Sequence, residues 1–455
     1  MMHDPDSVIV APATPPGVSG IAVIRLSGKA VFDVVTKCFR GSDLSAAGTH
    51  TIHFGTMVDG DTVIDEVLVS VFREPHSFTK ENSIEISCHG SPVVVQRIIG
   101  TLLQHGASLA EPGEFTRRAF LNGRFDLTQA EAVADLIHAE TDNARQAAIN
   151  QMRGGFSAEI RKLREELIHF ASLIELELDF GEEDVEFARR DELKALIVKI
   201  KTLISRLMES FRDGNVIKNG VATVIAGKPN SGISTLLNAL LKEEKAIVSE
   251  IPGTTRDVIE DEIVLDGVRF RFIDTAGLRD TQDVVEAIGV GRTREQLKKA
   301  SLVLHLVDLA QSTVDGLEKE AAEFQASGVP VIHVANKMDL ADSRLVLAAE
   351  AKGFIPISAS KLTHLKELEA EIVKRFHIGK VKQGDVVVTN SRHYEALRLT
   401  SEALERALSG LDGKVTGDFI AMDVRQALHY LGEITGEITT DDLLGNIFSK
   451  FCIGK

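Results

Sequence analysis

The feature that most constrains this chain is an alternation of strand-like and helix-like segments between residues 219 and 380. Apolar runs such as VATVIAG, LVLHLVD and VPVIHVANK are separated there by helical segments. Strands that alternate with helices in this way form βαβ units around a mostly parallel sheet. We therefore expect an α/β unit in this part of the chain.

The flanking segments have a different character. Short β-branched runs separated by turns fill residues 1–120 and predict an α+β domain. Apolar residues recur every three or four positions in 121–218 and again in 381–455, which is typical of amphipathic helices. The fold class predicted is a multidomain α/β plus α protein, with 219–380 inserted between two segments of one helical domain. The stripes that predict two of the helices are Ile160, Leu163, Leu167, Phe170, Ile174 and Leu178, and Leu193, Leu196, Ile200, Leu203 and Leu207.

A glycine-rich turn follows the first strand of the α/β segment. In GKPNSGIST, Gly227 and Gly232 bracket a loop whose backbone N–H groups can hold phosphates at a helix N-terminus. Ser234 stands where a hydroxyl binds Mg²⁺ in phosphate-binding loops. The loop residues assigned to nucleotide binding are Asn230, Ser231, Gly232, Ile233, Ser234 and Thr235.

Three further segments follow later strands, in the order typical of guanine-nucleotide sites. Asp274, Thr275, Ala276 and Gly277 form a DTAG run that predicts contacts to the metal's water shell and the γ-phosphate. The run Asn336–Lys337–Met338–Asp339 predicts guanine selection, since the Asp carboxylate can accept hydrogen bonds from guanine N1–H and the N2 amino group. Backbone N–H groups of Ser358, Ala359 and Ser360 are predicted to meet the edge of the base.

The glycine-rich loop departs from the pattern G-x-x-x-x-G-K-[ST] at one position. Ile233 stands where the pattern has its phosphate-binding lysine. Loss of one partner from a desolvated charge pair typically costs about 2–5 kcal/mol. Lys228 lies in the same loop but is expected to face solvent, so the sequence offers no evident substitute for the missing charge.

Charge and cysteine content bear on partners and location. The chain has 51 basic and 67 acidic residues and a formal net charge of -16, which argues against broad, non-specific binding of nucleic acid. Its three cysteines lack metal-ligand spacing and predict a reducing, cytoplasmic setting without a disulfide framework.

Three segments together resemble the MnmE (TrmE) family of tRNA modification GTPases over the whole chain. They are GTTRD at 253–257, the block GEFTRRAFLNGRFDLTQAEAVADLI at 113–137, and FCIGK at 451–455. The resemblance implies an N-terminal folate-binding and dimerising domain (1–120), a helical domain in two parts (121–218 and 381–455), and an inserted Ras-like G domain (219–380). It also implies a homodimer that acts with a flavin-dependent partner of the GidA type on the C5 position of the wobble uridine of tRNA. The one-carbon unit is expected from 5-formyl- or methylene-tetrahydrofolate.

The resemblance also assigns roles to individual residues. Leu278 stands where Ras-like enzymes place a water-positioning Gln, and the family's catalytic glutamate matches Glu286. GTP and GDP would bind with Mg²⁺, to which Thr255 is implied as the second protein ligand after Ser234, and with K⁺ in place of an arginine finger. The residues implied around K⁺ are Asn230, Ser249, Ile251 and Thr254, and those implied around folate are Arg25, Glu85, Arg124 and Lys455.

Two questions stay open at the level of sequence. Cys452, in FCIGK, is either a packing residue or a redox or covalent group. The chain is either a GTPase within a tRNA-modifying complex or a folate-binding scaffold whose G domain is silenced by Ile233. A ribosome-assembly GTPase is a third hypothesis that rests on GTTRD and NKMD alone.

Overall fold

The computed structural model describes residues 7–179, 190–244, 261–273, 300–325, 328–376, 379–413 and 416–455. Two compact units are distinguished. The first contains Met1–His138, Ala148–Met208 and Arg392–Lys455, and the second contains Ala139–Ala147 and Glu209–Ser391. The predicted fold class, multidomain α/β plus α, is confirmed.

A seven-stranded sheet dominates the first part of the chain. Its spatial order is β3-β4-β5-β6-β2-β1-β7, and only β1 and β7 pair in parallel. One face is covered by two helices, because alternate residues such as Val67, Val69 and Val71 are fully apolar and buried there. The strands are β1 (Val8–Pro12), β2 (Ser19–Ser27), β3 (Phe39–Gly41), β4 (Thr51–Asp59), β5 (Thr62–Phe72), β6 (Ser83–Gly90) and β7 (Ala107–Leu109), and the covering helices are α1 (Val31–Thr36) and α2 (Pro92–Gln104).

The remaining helices of the first unit come from distant parts of the chain. Helix α4 begins with a reciprocal cap, in which the Asp126 side chain accepts the Gln129 N–H and the Gln129 side chain accepts the Asp126 N–H. The helices are α3 (Glu114–Leu121), α4 (Leu127–Ile137), α5 (Asp142–Met152), α6 (Gly155–Asp179), α7 (Arg190–Asn219), α12 (Ser391–Asp412), α13 (Gly417–Thr435) and α14 (Asp441–Phe448). Helices α5 and α7 contribute residues to each of the two units.

The predicted apolar stripe of α7 is only partly correct. Leu193, Ile200 and Leu207 are buried as predicted, but Leu196 and Leu203 are only half-buried. Their places in the core are taken by the next residues, Ile197 and Ile204. An α-helix has 3.6 residues per turn, so residues three or four positions apart lie on the same face. Both Leu196 and Ile197 therefore fit the apolar stripe, and packing against the neighbouring helices decides which of them is buried. In α6 the predicted Ile160, Leu163, Leu167 and Ile174 are buried, whereas Phe170 is half-buried and the side chain of Leu178 lies outside the described residues.

The second unit contains a six-stranded sheet of the predicted, mostly parallel kind. Its order is β13-β12-β11-β8-β10-β9, and only β9 pairs antiparallel. Helices α8 and α11 bury apolar residues against one face, and α9 and α10 against the other. The elements are β8 (Val221–Gly227), α8 (Ile233–Glu244), β9 (Asp261–Leu265), β10 (Val268–Phe272), β11 (Leu302–Asp308), α9 (Val314–Gln325), β12 (Val331–Asn336), α10 (Ser343–Ala351), β13 (Ile355–Pro356) and α11 (Leu365–Arg375).

Membrane-spanning character is not found among these helices. Over the ranges given above, none combines the length and the apolar composition that a membrane span requires.

Candidate nucleotide and folate sites

The glycine-rich loop has the predicted strand–loop–helix form. Strand β8 ends at Gly227 and α8 begins at Ile233. Asn230 and Gly232 have φ angles of 67° and 99°, and a Cβ on Gly232 would lie 2.3 Å from Asn336 Nδ2, so only glycine fits at that position. The hydroxyl of Ser231 is buried and, among the described residues, has no hydrogen-bond partner. A loop of this shape at a helix N-terminus suits a phosphate group.

The Asn336 side chain links the glycine-rich loop (the phosphate loop) to the loop after β13 by hydrogen bonds. It ends β12 and is 2% exposed. Its Nδ2 donates to the Ser231 carbonyl oxygen at 2.8 Å, and its Oδ1 accepts from the Ala359 N–H at 3.1 Å. The structure therefore brings three of the predicted segments into direct contact through one side chain.

Lys337 makes another hydrogen bond to the phosphate loop. Its Nζ donates to the Asn230 carbonyl oxygen at 2.7 Å and to Asp308 Oδ2 at 2.7 Å. Asp308, which ends β11, was not among the residues predicted from the sequence. The signal was present, since Asp308 closes the strand that lies between β8 and β12 and so reaches the same sheet edge.

The residues predicted to recognise the base follow β12 and β13, and two residues of the phosphate loop begin α8. Asp339 is exposed in a 3₁₀ turn, Met338–Leu340, directly after Lys337. Ser358 is buried, and its hydroxyl lies 3.3 Å from that of Ser360. Ser234 and Thr235 are exposed on the first turn of α8. These residues line the edge where β8, β11, β12 and β13 end.

An apolar side chain, that of Ile233, stands where the loop pattern has its lysine. Ile233 is half-buried and packs against the apolar core beneath α8. Lys228 is 71% exposed, which confirms the prediction that it faces solvent, and its Nζ is 2.7 Å from Glu320 Oε1 on α9. The hydrogen bond and charge of Glu320 raise the pKa of Lys228. Lys228 is thus held by a carboxylate.

A second cluster of charged residues lies on the face of the seven-stranded sheet opposite α1 and α2. Arg25 on β2 faces Glu85 on β6, with Arg25 Nε 2.8 Å from Glu85 Oε1. An Arg25 Nη1 donates to the Gly454 carbonyl oxygen at 3.2 Å. Lys455 is half-buried beside them, and burial followed by the charge of Arg25 lowers its pKa, while the charges of Glu85 and Cys452 act in the opposite direction.

Aromatic rings complete this cluster. The Arg25 guanidinium lies 5.8 Å from the ring centres of Phe78 and Phe115. Arg124 stands over the same Phe78 ring at 5.4 Å and donates to the Ser77 carbonyl oxygen. Phe78 was not among the residues predicted from the sequence, although both Arg25 and Arg124 lie over its ring.

Comparison with known proteins gives matches over nearly the whole chain. Residues 127–452 match the MnmE helical domain family, and residues 8–124 match the GTP-binding protein TrmE N-terminus family. A protein of Cytophaga hutchinsonii named tRNA modification GTPase MnmE is 55% identical over 448 residues, covering 98% of this chain and 97% of that one. Proteins of the same name from Christiangramia forsetii and Flavobacterium psychrophilum are 51% and 48% identical and cover 99% and 100% of this chain.

The chain belongs to the MnmE family of tRNA modification GTPases. The matches to MnmE relatives extend over nearly the whole chain, so they include the block at 113–137 and FCIGK at 451–455 as well as the G-domain motifs. A G domain shared with other GTPases would explain only the latter.

Several positions that the MnmE resemblance implies lie outside the described residues. The structure therefore gives no geometry for the second Mg²⁺ ligand, for the DTAG run or for the proposed catalytic glutamate. These residues are Ser249, Ile251, Thr254, Thr255, Asp274, Thr275, Ala276, Gly277 and Glu286.

Proposed function

We propose that this chain, a tRNA modification GTPase of the MnmE family, binds GTP at the edge of the six-stranded sheet and couples its hydrolysis to modification of the wobble uridine. The observation that carries the nucleotide proposal is the pair of hydrogen bonds that the Asn336 side chain makes, one donated to the Ser231 carbonyl oxygen and one accepted from the Ala359 N–H, because they hold the phosphate loop against the base-recognition loops. Asp339 would accept hydrogen bonds from guanine, and the N–H groups around Gly232 would hold the phosphates.

The loop also supports the proposed cations. The buried Ser231 hydroxyl, which has no hydrogen-bond partner within the part of the chain that the structure describes, and the exposed Ser234 and Asn230 offer the oxygen atoms that Mg²⁺ and K⁺ prefer. Ser234 would hold Mg²⁺, and Asn230 would contribute to K⁺. When bound, the two cations would neutralise negative charge that develops between the β- and γ-phosphates. Glu286 remains our proposal for the residue that orients the attacking water.

A silenced G domain is the second candidate function, and the packing of Ile233 favours it. That side chain lies against the core beneath α8, so no positive charge reaches the phosphates from this position. In such a protein the G domain would bind nucleotide weakly, and the chain would act as a folate-binding scaffold.

Steady-state GTP hydrolysis in KCl and in NaCl separates the two candidates. We would compare the chain with Ile233→Lys, and with Ile233→Leu as the matched apolar control. Turnover by the unaltered chain that depends on potassium supports the enzyme. Turnover by Ile233→Lys alone supports the silenced G domain, and absence of turnover in all three would contradict the catalytic proposal.

We propose a tetrahydrofolate site at the cluster of Arg25, Glu85, Arg124 and Lys455. A carboxylate such as Glu85 suits the adjacent N–H donors of a pterin ring, and the cationic groups suit the anionic glutamyl tail. The shared Phe78 ring adds an apolar surface for a flat heterocycle. A flavin-dependent partner of the GidA type would complete the transfer to C5 of uridine in the cytoplasm. Equilibrium dialysis with 5-formyl-tetrahydrofolate tests this site, with Glu85→Gln expected to bind at least tenfold more weakly, about 1.4 kcal/mol.

A homodimer is proposed through the β4–β5 part of the sheet face opposite α1 and α2. Phe54 and Leu68 pair directly across β4 and β5 and are 64% and 47% exposed. The strand register places them on the same face as Arg25 and Glu85. Sedimentation of Phe54→Asp is expected to give a monomer, whereas an unchanged dimer would exclude this face.

A further inference from the structure

A groove opens beside the folate cluster within the first unit. It has a volume of about 540 Å³, inside the range of about 300–1,000 Å³ that is typical of small-ligand pockets. Its walls come from the segment between α3 and α4, from α6 and from the turn after α13. Among the lining residues are Leu121, Arg124, Phe125, Asp126, Arg161 and Glu437. Apart from Arg124, the nucleotide, folate and dimer proposals leave this groove unassigned.

Arg124 connects the groove to the folate cluster. Its guanidinium lies 5.4 Å from the centre of the Phe78 ring and 5.2 Å from the centre of the Phe125 ring. The two ring centres are 5.8 Å apart, and the Arg25 guanidinium also lies 5.8 Å from the centre of Phe78. The contacts therefore lead from the Arg25–Glu85 pair through the Phe78 ring to the wall of the groove.

Three cationic side chains lie along the groove. Arg124 and Arg161 belong to its lining. Lys80 donates to the Gly123 carbonyl oxygen at 2.8 Å, and Gly123 is also a lining residue. The chain as a whole has a formal net charge of -16. A local cluster of cations in an acidic protein favours an anionic ligand at this place.

Two carboxylates face these cations, and each has another partner. Asp126 accepts the Gln129 N–H as the cap of α4, where the helix N-terminus itself carries partial positive charge. Glu437 forms an ion pair with Arg164 of α6, whose side chain is 13% exposed. The negative charges of the groove are therefore partly offset by groups other than the three cations.

Arg161 is the cation best placed to receive a ligand. Its Nε donates to the Ser157 carbonyl oxygen at 3.3 Å on the same helix, and its side chain is 54% exposed. Its Nη2 lies 3.8 Å from Asp126 Oδ2, which is longer than a hydrogen bond. The terminal amino groups of Arg161 can therefore turn to a carboxylate and bind it through two parallel N–H···O bonds.

We propose that the groove binds the γ-linked glutamyl residues of a folate that carries more than one glutamate, and that Arg161 holds an added carboxylate. This specificity rests on the proposed folate site and names the class of folate that the site prefers. With the pterin at Glu85, the glutamyl end of the ligand reaches Arg124, and each further γ-linked residue adds one α-carboxylate along the groove. The methylene groups between the carboxylates suit the apolar side chains of Leu121 and Phe125.

Equilibrium dialysis of the full chain with the mono- and triglutamate forms of 5-formyl-tetrahydrofolate tests this specificity. We expect the triglutamate to bind at least tenfold more tightly, roughly the gain from one charge-assisted contact. In Arg161→Gln the ratio of the two affinities should fall to about two or less, whereas Arg161→Lys, which keeps the charge, should retain part of the gain. Because the readout is a ratio, an effect of the variant on the pterin end cancels. Arg153→Gln, at an exposed arginine that is not a lining residue, is the control and should keep the full ratio.

The outcomes separate the groove from the folate site itself. Binding of the monoglutamate with equal affinity for the triglutamate contradicts the groove alone. A triglutamate gain that persists undiminished in Arg161→Gln, or that is lost equally in Arg153→Gln, overturns the assignment of Arg161. Binding of neither compound contradicts the folate proposal and this specificity with it.

Discussion

The side chain of Asn336 donates to the carbonyl oxygen of Ser231 across 2.8 Å, although 105 residues separate them in the chain. Both residues are buried. The same amide accepts from Ala359, so the phosphate loop and the base loops form one hydrogen-bonded edge. Because this buried amide forms hydrogen bonds with backbone groups of two loops, its replacement is expected to affect both loops.

Asn336→Ala is expected to weaken both stability and nucleotide binding. The change leaves the Ser231 carbonyl and the Ala359 N–H without their partner, at about 1–3 kcal/mol for each buried group left unsatisfied. Urea denaturation and titration with a fluorescent GDP analogue measure the two effects. Asn219→Ala is the control, because that exposed side chain donates to Asn215 on the same helix, and stability should stay near that of the unaltered chain. Equal stability of the two variants would contradict the bridging role.

Asp339→Asn is expected to change base preference. The carboxylate can accept from two guanine N–H groups, whereas an amide presents one donor and one acceptor and matches xanthine better. We expect GDP affinity to fall roughly 10²-fold or more and xanthosine diphosphate affinity to rise. Competition binding with both nucleotides measures the switch. Asp266→Asn, in an exposed turn with a φ of 47°, should alter neither affinity. Retention of guanine preference would exclude Asp339 as the base-reading residue.

Glu131→Gln is expected to destabilise the helical part of the first unit. Glu131 on α4 is bound by Arg392 at 2.9 Å and by His393 at 2.7 Å, both on α12. Burial alone raises the pKa of Glu131, but the charges and hydrogen bonds of His393 and Arg392 outweigh it and hold the pKa well below its usual range. Removing one partner of such a buried pair costs about 3–5 kcal/mol.

The pH dependence of this ion pair has a definite sign. Since the folded-state pKa of Glu131 is lowered, its contribution to stability is present above the ordinary value of 4.5 and is lost as the pH falls below it. Urea midpoints measured from pH 6 down to pH 3 should therefore fall less in Glu131→Gln than in the unaltered chain. Glu395→Gln on α12 is the control, because its pair with Arg398 is exposed to solvent and little change is expected. Parallel pH profiles for the unaltered chain and Glu131→Gln would contradict the assignment.

A buried histidine pair should make the second unit sensitive to acid. His305 and His333 lie on neighbouring strands with their Nδ1 atoms 2.9 Å apart, and His305 is 2% exposed. Burial, followed by the charges of His333 and Lys228, lowers the pKa of His305 to about 4, and burial also lowers that of His333. Glu320 stands 4.0 Å from His305 Nε2, and Arg375 acts on His333.

The expected direction follows from proton uptake. Between pH 6.5 and 4 the unfolded chain binds a proton at His305 that the folded chain does not bind. The free energy of unfolding should fall by up to about 3 kcal/mol across this range as the pH is lowered. His305→Phe should flatten that part of the profile, whereas His76→Gln at an exposed site should not. A profile for His305→Phe that matches the unaltered chain would exclude this source of acid sensitivity.

Much of the α/β unit could be predicted from sequence because its signals are local. The run VATVIAGKPNSGIST contains its strand, its turn glycines and its helix start within a few residues, and the structure has β8, the loop and α8 in that order. The position of Asn336 at the end of β12 could be predicted for the same reason, because NKMD directly follows the apolar run of that strand. The division at 120, 218 and 380 and the roles of the residues beyond the described ranges stay predictions.

Many of the side-chain contacts described above depended on packing between remote segments. Arg25 meets Gly454 across 429 positions, Cys452 meets His138 across 314, and Glu131 meets Arg392 across 261. Hydrophobic periodicity fixes which residues form a helix, but both Ile197 and Leu196 satisfy it, and only the neighbouring helices select one of them. By itself the sequence determined the type and order of the elements and the family, since backbone propensity and motif spacing act over short range. Only the tertiary structure decided which side chains meet, because close packing is settled by shape and charge between segments distant in the chain.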